Sequence, residues 1–393
     1  MRVALFASAF HPHVGGVEEV VRQLAHALRH RGDDAIVITN RWPRDLARED
    51  AHEGIPIFRL PLRAPEQSFK SHLSYHLTHR TVQREVAQIL REREVDMIHV
   101  HCVSANALYG QLASRKLGLP IVVTSHSERT MDATRIFERS HFMNNVLRTS
   151  LATVDYVTAC SRNTLDDLLH FMNGRICPRN KVIYNGVDLS EFSQGRRSPH
   201  PRPYIFALGR FVKPKGFDLL LRAYAKSTAA ETHDLVLAGD GPEQETLEAL
   251  IRDLSLSSRV HLPGRVDRAG ALALMENSSF FVLSSRHEGF PMVCLEAMGS
   301  SKAIVATAVG GVPESVVHEV NGLLVPKEDW RALADAISRV ASDAELRDLL
   351  GIAGRQRVEQ LSWQSIAAEY AEVYQEARAH HESQNARPRE MMA

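Results

Sequence analysis

Phe280-Phe-Val-Leu283, a short polar step, and then Glu288-Gly-Phe-Pro-Met-Val-Cys-Leu-Glu296 form the stretch on which the reading of this chain turns. The apolar run reads as a buried strand, which puts Glu288 at its carboxyl end. The Gly/Pro turn then opens a helix from about Pro291 to Met298, with Glu296 on its second turn. Backbone N–H groups at such a helix start carry a partial positive charge suited to a phosphate or a sugar hydroxyl, and the flanking carboxylates can accept hydrogen bonds from a diol. The pair suits a ligand that is part anion, part polyol. Each glutamate alone also reads as an ordinary charge, one compensating the helix dipole and one solvated.

The same rhythm runs outward in both directions. Before it come Val3 to Ala9, a helix from about Gly16 to Arg31, Ala35 to Thr39, Met97 to Val100, a helix near Asn106 to Leu117, Ile121 to Thr124 and Tyr156 to Ala159. Strands alternating with helices predict a parallel sheet covered on both faces, the Rossmann-like pattern. Ser193 to Pro203, with three prolines and three arginines, breaks the period and reads as a linker. Beyond it the pattern restarts with Tyr204 to Gly209, Asp234 to Gly239, Val260 to Leu262, Ser279 to Leu283 and Ala303 to Ala306. The expected organisation is a first domain over 1–190, a linker over 191–203, a second domain over 204–362, a helix over 363–380 packing back on the first domain, and a disordered tail over 381–393. Ligands of such sheets bind beyond the carboxyl ends of the strands, so the functional cleft is expected between the two halves.

Composition narrows the function classes. A chain of 393 residues with 44% hydrophobic and 24% charged residues has enough apolar material for two to three domains. Lys plus Arg equals Asp plus Glu at 47 each, so nothing points to nucleic acid or an anionic membrane as the main partner. The cysteines Cys102, Cys160, Cys177 and Cys294 lack metal-ligand spacing and fit a reducing compartment. The opening apolar segment reads as a strand, and no later run has the length of a membrane span. The expectation is a cytoplasmic protein.

Several short motifs sit where strands hand over to helices. Gly15-Gly16-Val17-Glu18 lies between the first strand and first helix, where glycine lets backbone approach a ligand, though a plain tight turn reads the same way. The absence of GxGxxG counts against a dinucleotide oxidoreductase. Gly209-Arg210, followed by Lys213, Lys215 and Gly216, puts cations where a diphosphate can sit, or forms a solvated basic loop. Gly239-Asp240-Gly241-Pro242 closes a strand with a sharp turn. Of 20 histidines, His126 at the end of Ile121 to Thr124 is the strongest candidate, while His11, His13, His99 and His101 are weaker and form no spaced metal site. No Asp-x-Asp is present to hold a divalent cation against a diphosphate.

Taken in order, Gly15 to Glu18, His126, Asn185-Gly186-Val187-Asp188, Gly209-Arg210 with Lys215-Gly216, Gly239 to Pro242 and Glu288 to Glu296 resemble the retaining glycosyltransferases of family 4, also called glycosyl transferases group 1, from about Met1 to Gln375. The resemblance implies a GT-B fold, an α/β architecture of two Rossmann-like doubly wound domains facing across a cleft with the last helix crossing back. It implies no metal and no cofactor beyond a nucleoside-diphosphate sugar as co-substrate. On the same basis Arg210 and Lys215 would bind the donor diphosphate and stabilise the leaving group, Glu296 would hold the ribose diol, and Glu288 would act at the transferred sugar. Gly289, Phe290, Pro291, Met292 and Val293 would line the donor at the helix start, and His126 would lie near the sugar's primary hydroxyl. Gly16, beside Gly15, would approach the phosphate, Gly239 would border the donor, and Arg265-Val266 would receive the base. One departure is Ser301-Lys302, where the family often has Ala-x-Gly-x-Pro, which bears on a loop conformation.

The expected chemistry is front-face transfer with retention, in which the cations stabilise the departing phosphate. The resemblance implies a hexose or N-acetylhexosamine donor, UDP-linked before GDP-linked, with a GDP-mannose-dependent mannosyltransferase as the alternative. A sugar-nucleotide epimerase and a non-catalytic sugar-nucleotide sensor are the readings from other classes. The acceptor would be a sugar, glycoside or glycolipid, with the segments Pro61 to Arg91 and Glu128 to Arg148 shaping its side. Membrane contact would be at most peripheral, and the oligomeric state is left open.

Overall fold

A computed structural model describes residues 1–13, 15–65, 69–131, 136–192, 195–196 and 200–386. The chain forms two compact units, Met1–Asn185 with Trp363–Ala393, and Gly186–Ser362.

The sheet of the first unit is built from β1 (Arg2–Ala7), β2 (Asp34–Asn40), β3 (Glu49–His52), β4 (Ile55–Leu60), β5 (Met97–His101), β6 (Ile121–Ser125), β7 (Tyr156–Ala159) and β8 (Asn180–Val182), in the order β3-β4-β2-β1-β5-β6-β7-β8. All pairings are parallel except β3 with β4. Strands β5, β6 and β7 are buried at every residue, which is what helices on both faces require of their sequence. The helix Gly16–His30 buries Val20, Val21, Leu24, Ala25 and Leu28 along one stripe. Hairpin β3–β4 escapes the periodicity because β3 is polar and exposed; its turn, Glu53-Gly54, has φ of 50° and 78°, the double left-handed geometry of a tight two-residue hairpin. The three-residue β8 is too short to show a period.

The two segments expected to shape the acceptor side are largely helical. Phe69–Glu92 is one long helix that buries Val82, Val86 and Leu90, and Glu128–Met131, Ile136–Arg139 and His141–Thr153 make up most of the other. Residues 132–135 lie outside the described residues. The last helix, Trp363–Asn385, belongs to the first unit and runs past the expected end at 380. Tyr374 Oη lies 2.7 Å from buried His99 Nδ1, and His99 Nε2 lies 2.6 Å from Thr124 Oγ1. His380 and His381 hold its far end to Asp155 at 3.0 and 3.1 Å. Of the tail expected to be disordered over 381–393, residues 381–385 continue this helix instead, and 387–393 lie outside the described residues.

The second unit carries β9 (Tyr204–Leu208), β10 (Asp234–Ala238), β11 (Val260–His261), β12 (Phe280–Leu283), β13 (Ile304–Thr307) and β14 (Leu323–Val325), all parallel, in the order β11-β10-β9-β12-β13-β14. The direction of winding reverses between β9 and β12, so the loops after these two strands flank the crevice where such sheets bind ligands. Of the expected linker, Leu189–Glu191 is a 3-10 turn and Arg196 is tied to Glu276 at 2.6 Å; positions 193, 194 and 197–199 lie outside the described residues. At Ser301 the family departure is absorbed as a helix cap. Lys302 N donates to Ala297 O and Ser301 N to Met298 O, with Ser301 left-handed at φ 54° where glycine is the easier residue.

Candidate active site

The loops after β9 and β12 are stitched together by short backbone contacts. After Gly209-Arg210, residues Lys213–Lys215 turn once as a 3-10 helix and end on Gly216 at φ 64°. A Cβ at Gly216 would stand 2.1 Å from Ser284 O, so only glycine lets the two loops meet. Ser284 Oγ donates to Lys215 O at 3.1 Å, and Arg286 N donates to Pro214 O at 2.7 Å. This seam delivers Lys215 Nζ to 2.7 Å from Glu288 Oε1, the same oxygen that accepts from Ser285 Oγ at 2.6 Å. Glu288 is only 6% exposed, and a carboxylate that deep persists only when paired and hydrogen-bonded. Its main chain is also wedged: a Cβ at Gly310, where φ is 53°, would lie 1.8 Å from Glu288 O. Arg210 is exposed and its side chain has no partner among the described residues, leaving an uncommitted cation beside the Lys215–Glu288 pair's loop.

The helix Met292–Gly299 follows, with Pro291 at its N-cap. Gly289 and Phe290 lead into it, and the first helical amides, of Met292 and Val293, have no partner within the helix by construction. The helix is buried nearly all round, so Glu296, 5% exposed, is not the solvated glutamate that the bland reading allows. Its charge is answered by Arg268, which bonds Glu296 Oε1 through Nη1 and Glu191 Oε2 through Nη2, the latter at 2.6 Å. Arg268 opens the helix Arg268–Asn277, whose N-cap Asp267 accepts from Gly270 N at 2.8 Å.

Gly239 serves packing: its N–H donates to Gly264 O at 2.9 Å, and a Cβ there would stand 1.9 Å from Gly209 O. Arg265 is exposed, and half-buried Val266 lines a cavity with Val236, Leu262, Pro263 and Gly270.

In the first unit Gly15 is the N-cap of Gly16–His30, its backbone extended at φ −164°. A Cβ at Gly16 would meet nothing within 4 Å, so this helix start is open, while one at Gly15 would run into Glu18 Oε2 at 2.3 Å. His126 follows β6, and its position is set by Glu128. That carboxylate accepts from Val103 N at 3.0 Å, Ser125 Oγ at 2.8 Å and His126 N at 2.8 Å, joining the loops after β5 and β6. His126 Nε2 lies 3.2 Å from His101 Nδ1. Burial lowers the His126 pKa to about 4, and lowers those of fully buried His99 and His101 well below the usual imidazole value. His126 is therefore neutral across physiological pH. His99 and His101 are fully buried in the first unit.

Comparison with known proteins closes the question of family. Residues 189–357 match the family described as Glycosyl transferases group 1, and residues 14–191 match Glycosyltransferase Family 4. This chain is a family 4 glycosyltransferase. It is 27% identical over 377 residues to the N-acetyl-alpha-D-glucosaminyl L-malate synthase of Bacillus anthracis, covering 93% of this chain and 94% of that one. It is also 27% identical to the GDP-mannose:cellobiosyl-diphosphopolyprenol alpha-mannosyltransferase of Xanthomonas campestris, covering 96% and 97%. Among solved structures, sucrose-phosphate synthase from Thermosynechococcus elongatus superposes with a TM-score of 0.82 at 24% identity over 96% of this chain and 99% of that chain. Anabaena HepE in complex with UDP-glucose gives 0.75 at 22%, covering 95% and 99%. These likenesses establish the GT-B fold with its two parallel-sheet domains.

The glycosyltransferase uses a nucleotide sugar, and its second unit pairs Lys215 with Glu288 and, separately, Arg268 with Glu296. The residues missed from sequence are Ser285, Arg268, Glu191 and Glu128. Ser285, three residues before Glu288, and Glu128, two residues after His126, were open to local reading; Arg268 and Glu191 act across 28 and 77 residues and leave no local signal. No helix among the described residues is long and apolar enough to cross a membrane.

Proposed function

We propose that this glycosyltransferase moves a hexose or N-acetylhexosamine from a UDP-sugar to an acceptor hydroxyl with retention of anomeric configuration. The observation that carries the reading is the buried Glu288 carboxylate shared by Lys215 Nζ and Ser285 Oγ at the sheet's switch point, with exposed Arg210 on the adjoining loop. Cleavage of the bond between anomeric carbon and diphosphate builds negative charge on the leaving phosphate and oxocarbenium character on the sugar. Arg210 and Lys215 would neutralise the first without a divalent ion, and Glu288 would bind hydroxyls of the second. The departing phosphate oxygen would take the proton of the acceptor hydroxyl on the same face. Glu296, steadied by Arg268, is the proposed ligand of the ribose diol, and Met292 and Val293 offer the helix-start amides. His126, neutral and held by Glu128, remains the first unit's candidate contact to the transferred sugar, and Gly16 a candidate approach to the phosphate. Arg265 and Val266 are the proposed neighbours of the base, and no cofactor beyond the donor enters.

The UDP preference draws support from the UDP-glucose complex of a protein that shares the fold, and the N-acetylhexosamine from the N-acetylglucosaminyl relative. The mannosyltransferase relative, named for GDP-mannose, supports the second reading, a GDP-mannose donor. The test is a panel of UDP-, GDP- and ADP-sugars with purified protein in the presence of a chelator, reading nucleotide release and then the product anomer by NMR. Release from UDP-sugars with a retained anomer is expected. An inverted anomer would refute the mechanism, and release only from GDP-mannose would replace the donor assignment.

A further inference from the structure

At the amino end of β10, the far edge of the sheet from Lys215 and Glu288, three side chains from separate segments converge. His200 precedes β9, Asp234 opens β10 and His261 closes β11. His200 Nε2 lies 3.0 Å from Asp234 Oδ2, and His261 Nε2 lies 3.2 Å from the same oxygen. The three donor atoms all fall within 4.8 Å of one another. Asp234 is 4% exposed and anchored in the sheet, while the His261 side chain is 41% exposed and leaves the cluster accessible from solvent.

The guanidiniums in the neighbourhood address the other oxygen. Arg259 Nη1 lies 3.1 Å and Arg202 Nε 3.6 Å from Asp234 Oδ1, neither with hydrogen-bond geometry. An aspartate whose charge is already balanced by guanidinium has no electrostatic need of an imidazole. Here two rings turn the same nitrogen to its remaining oxygen.

We propose that His200 Nε2, His261 Nε2 and Asp234 Oδ2 form a binding site for a borderline-soft divalent cation, with Zn²⁺ the ion that fits. Two imidazoles and one carboxylate are a ligand set zinc takes readily, and a water completes the tetrahedron. Bonds of about 2.0–2.2 Å to a tetrahedral ion place neighbouring ligand atoms about 3.3 Å apart. The 3.0 and 3.2 Å edges therefore need to open by a few tenths of an ångström, and the His200–His261 edge, within 4.8 Å, needs to settle at the same spacing. The bound ion fastens the approach to β9 onto the outer strands β10 and β11. Its function is structural, and it lies away from Lys215 and Glu288, while His200 and His261 share with Val266 the cavity proposed to border the base.

The charge balance supplies a control. Arg202 is more than half exposed, donates no ligand atom and repels a cation at Oδ2 through the carboxylate it faces. Removing its charge should tighten binding.

The experiment titrates Zn²⁺ into chelator-treated full-length protein by competition with a chromophoric chelator, and Co²⁺ by visible absorption. One ion per chain and a four-coordinate cobalt spectrum are expected. His261→Asn and His200→Asn should each bind at least about tenfold more weakly, and Arg202→Gln several-fold more tightly. Thermal unfolding should rise with zinc in the parent chain and stay flat in the double variant. The chain has 20 histidines, so the decisive comparison is that double variant, His200→Asn/His261→Asn. Parent-like affinity there places the ion elsewhere and overturns the proposal, as does a parent chain that binds no zinc. Because His261 lies at the surface, its single variant preserves the test if the double variant does not fold.

Discussion

Replacing Lys215 by methionine removes one charge and keeps the side chain's length, and the structure sets two separate consequences. The first concerns stability. Glu288 loses an ammonium at 2.7 Å and keeps Ser285 Oγ at 2.6 Å, so one charge-assisted hydrogen bond to a nearly buried carboxylate disappears. Such a bond contributes about 1.5–3 kcal/mol, and the lower part of that range applies because the Lys215 side chain is 20% exposed. At about 2–4 °C per kcal/mol for a unit of this size, the second unit should melt about 3–8 °C lower. The double variant Lys215→Met/Glu288→Gln, which no longer buries an unpaired charge, should recover most of that loss. The second consequence concerns catalysis. Loss of a preorganised cation at the leaving phosphate should lower kcat by about 10²–10³-fold, in line with other single charge-stabilising groups, and the double variant should not recover it. Nucleotide release at saturating donor, measured well below both melting points, separates the two. A Lys215→Met protein with kcat within a few-fold of the parent would refute the assignment of this lysine to the phosphate.

Four further outcomes follow from the geometry. Gly310→Ala should displace Glu288, because its Cβ would stand 1.8 Å from Glu288 O, and activity should fall at least about a hundredfold with the first unit's unfolding transition unmoved. Arg268→Gln should raise the donor KM several-fold with kcat nearly unchanged, since it frees Glu296 and Glu191 without touching Lys215 or Glu288; equal losses in both would count against it. Tyr374→Phe leaves buried His99 Nδ1 without its 2.7 Å partner and should cost about 1–3 kcal/mol in unfolding of the first unit, leaving the second unchanged. For pH, folding holds His126 neutral with a pKa of about 4, whereas the unfolded chain binds that proton near 6.5. The unfolded state therefore gains protons first as pH falls, and stability drops from about pH 6.5 downward, by about 2 kcal/mol at pH 5 for His126 alone. His99 and His101 add to the loss, and Glu128, raised by burial, offsets part of it as pH falls further. Melting curves from pH 8 to 5 should show this slope, and it should flatten in His126→Gln.

The sequence by itself determined the strand-and-helix alternation in both halves and the handover at Leu283 to Met292, and it supplied the candidates His126, Arg210, Lys215 and Glu288 for catalysis and Glu296 for the donor. Those are local facts: a buried parallel strand is a continuous apolar run, and a left-handed or crowded position such as Gly216 declares itself as glycine. Hairpin β3–β4 was out of reach because an exposed polar edge strand shares its composition with a loop. Only the tertiary structure decided that Arg268 reaches Glu296, that Glu128 ties His126 to the loop after β5, and that Tyr374 closes on His99. Those partners stand from 25 to 275 residues apart, except for the local Glu128–His126 contact. Pairing across such distances is set by strand order and burial, because a buried charge must find a partner wherever the sheet brings one, and periodicity along the chain carries no record of that choice.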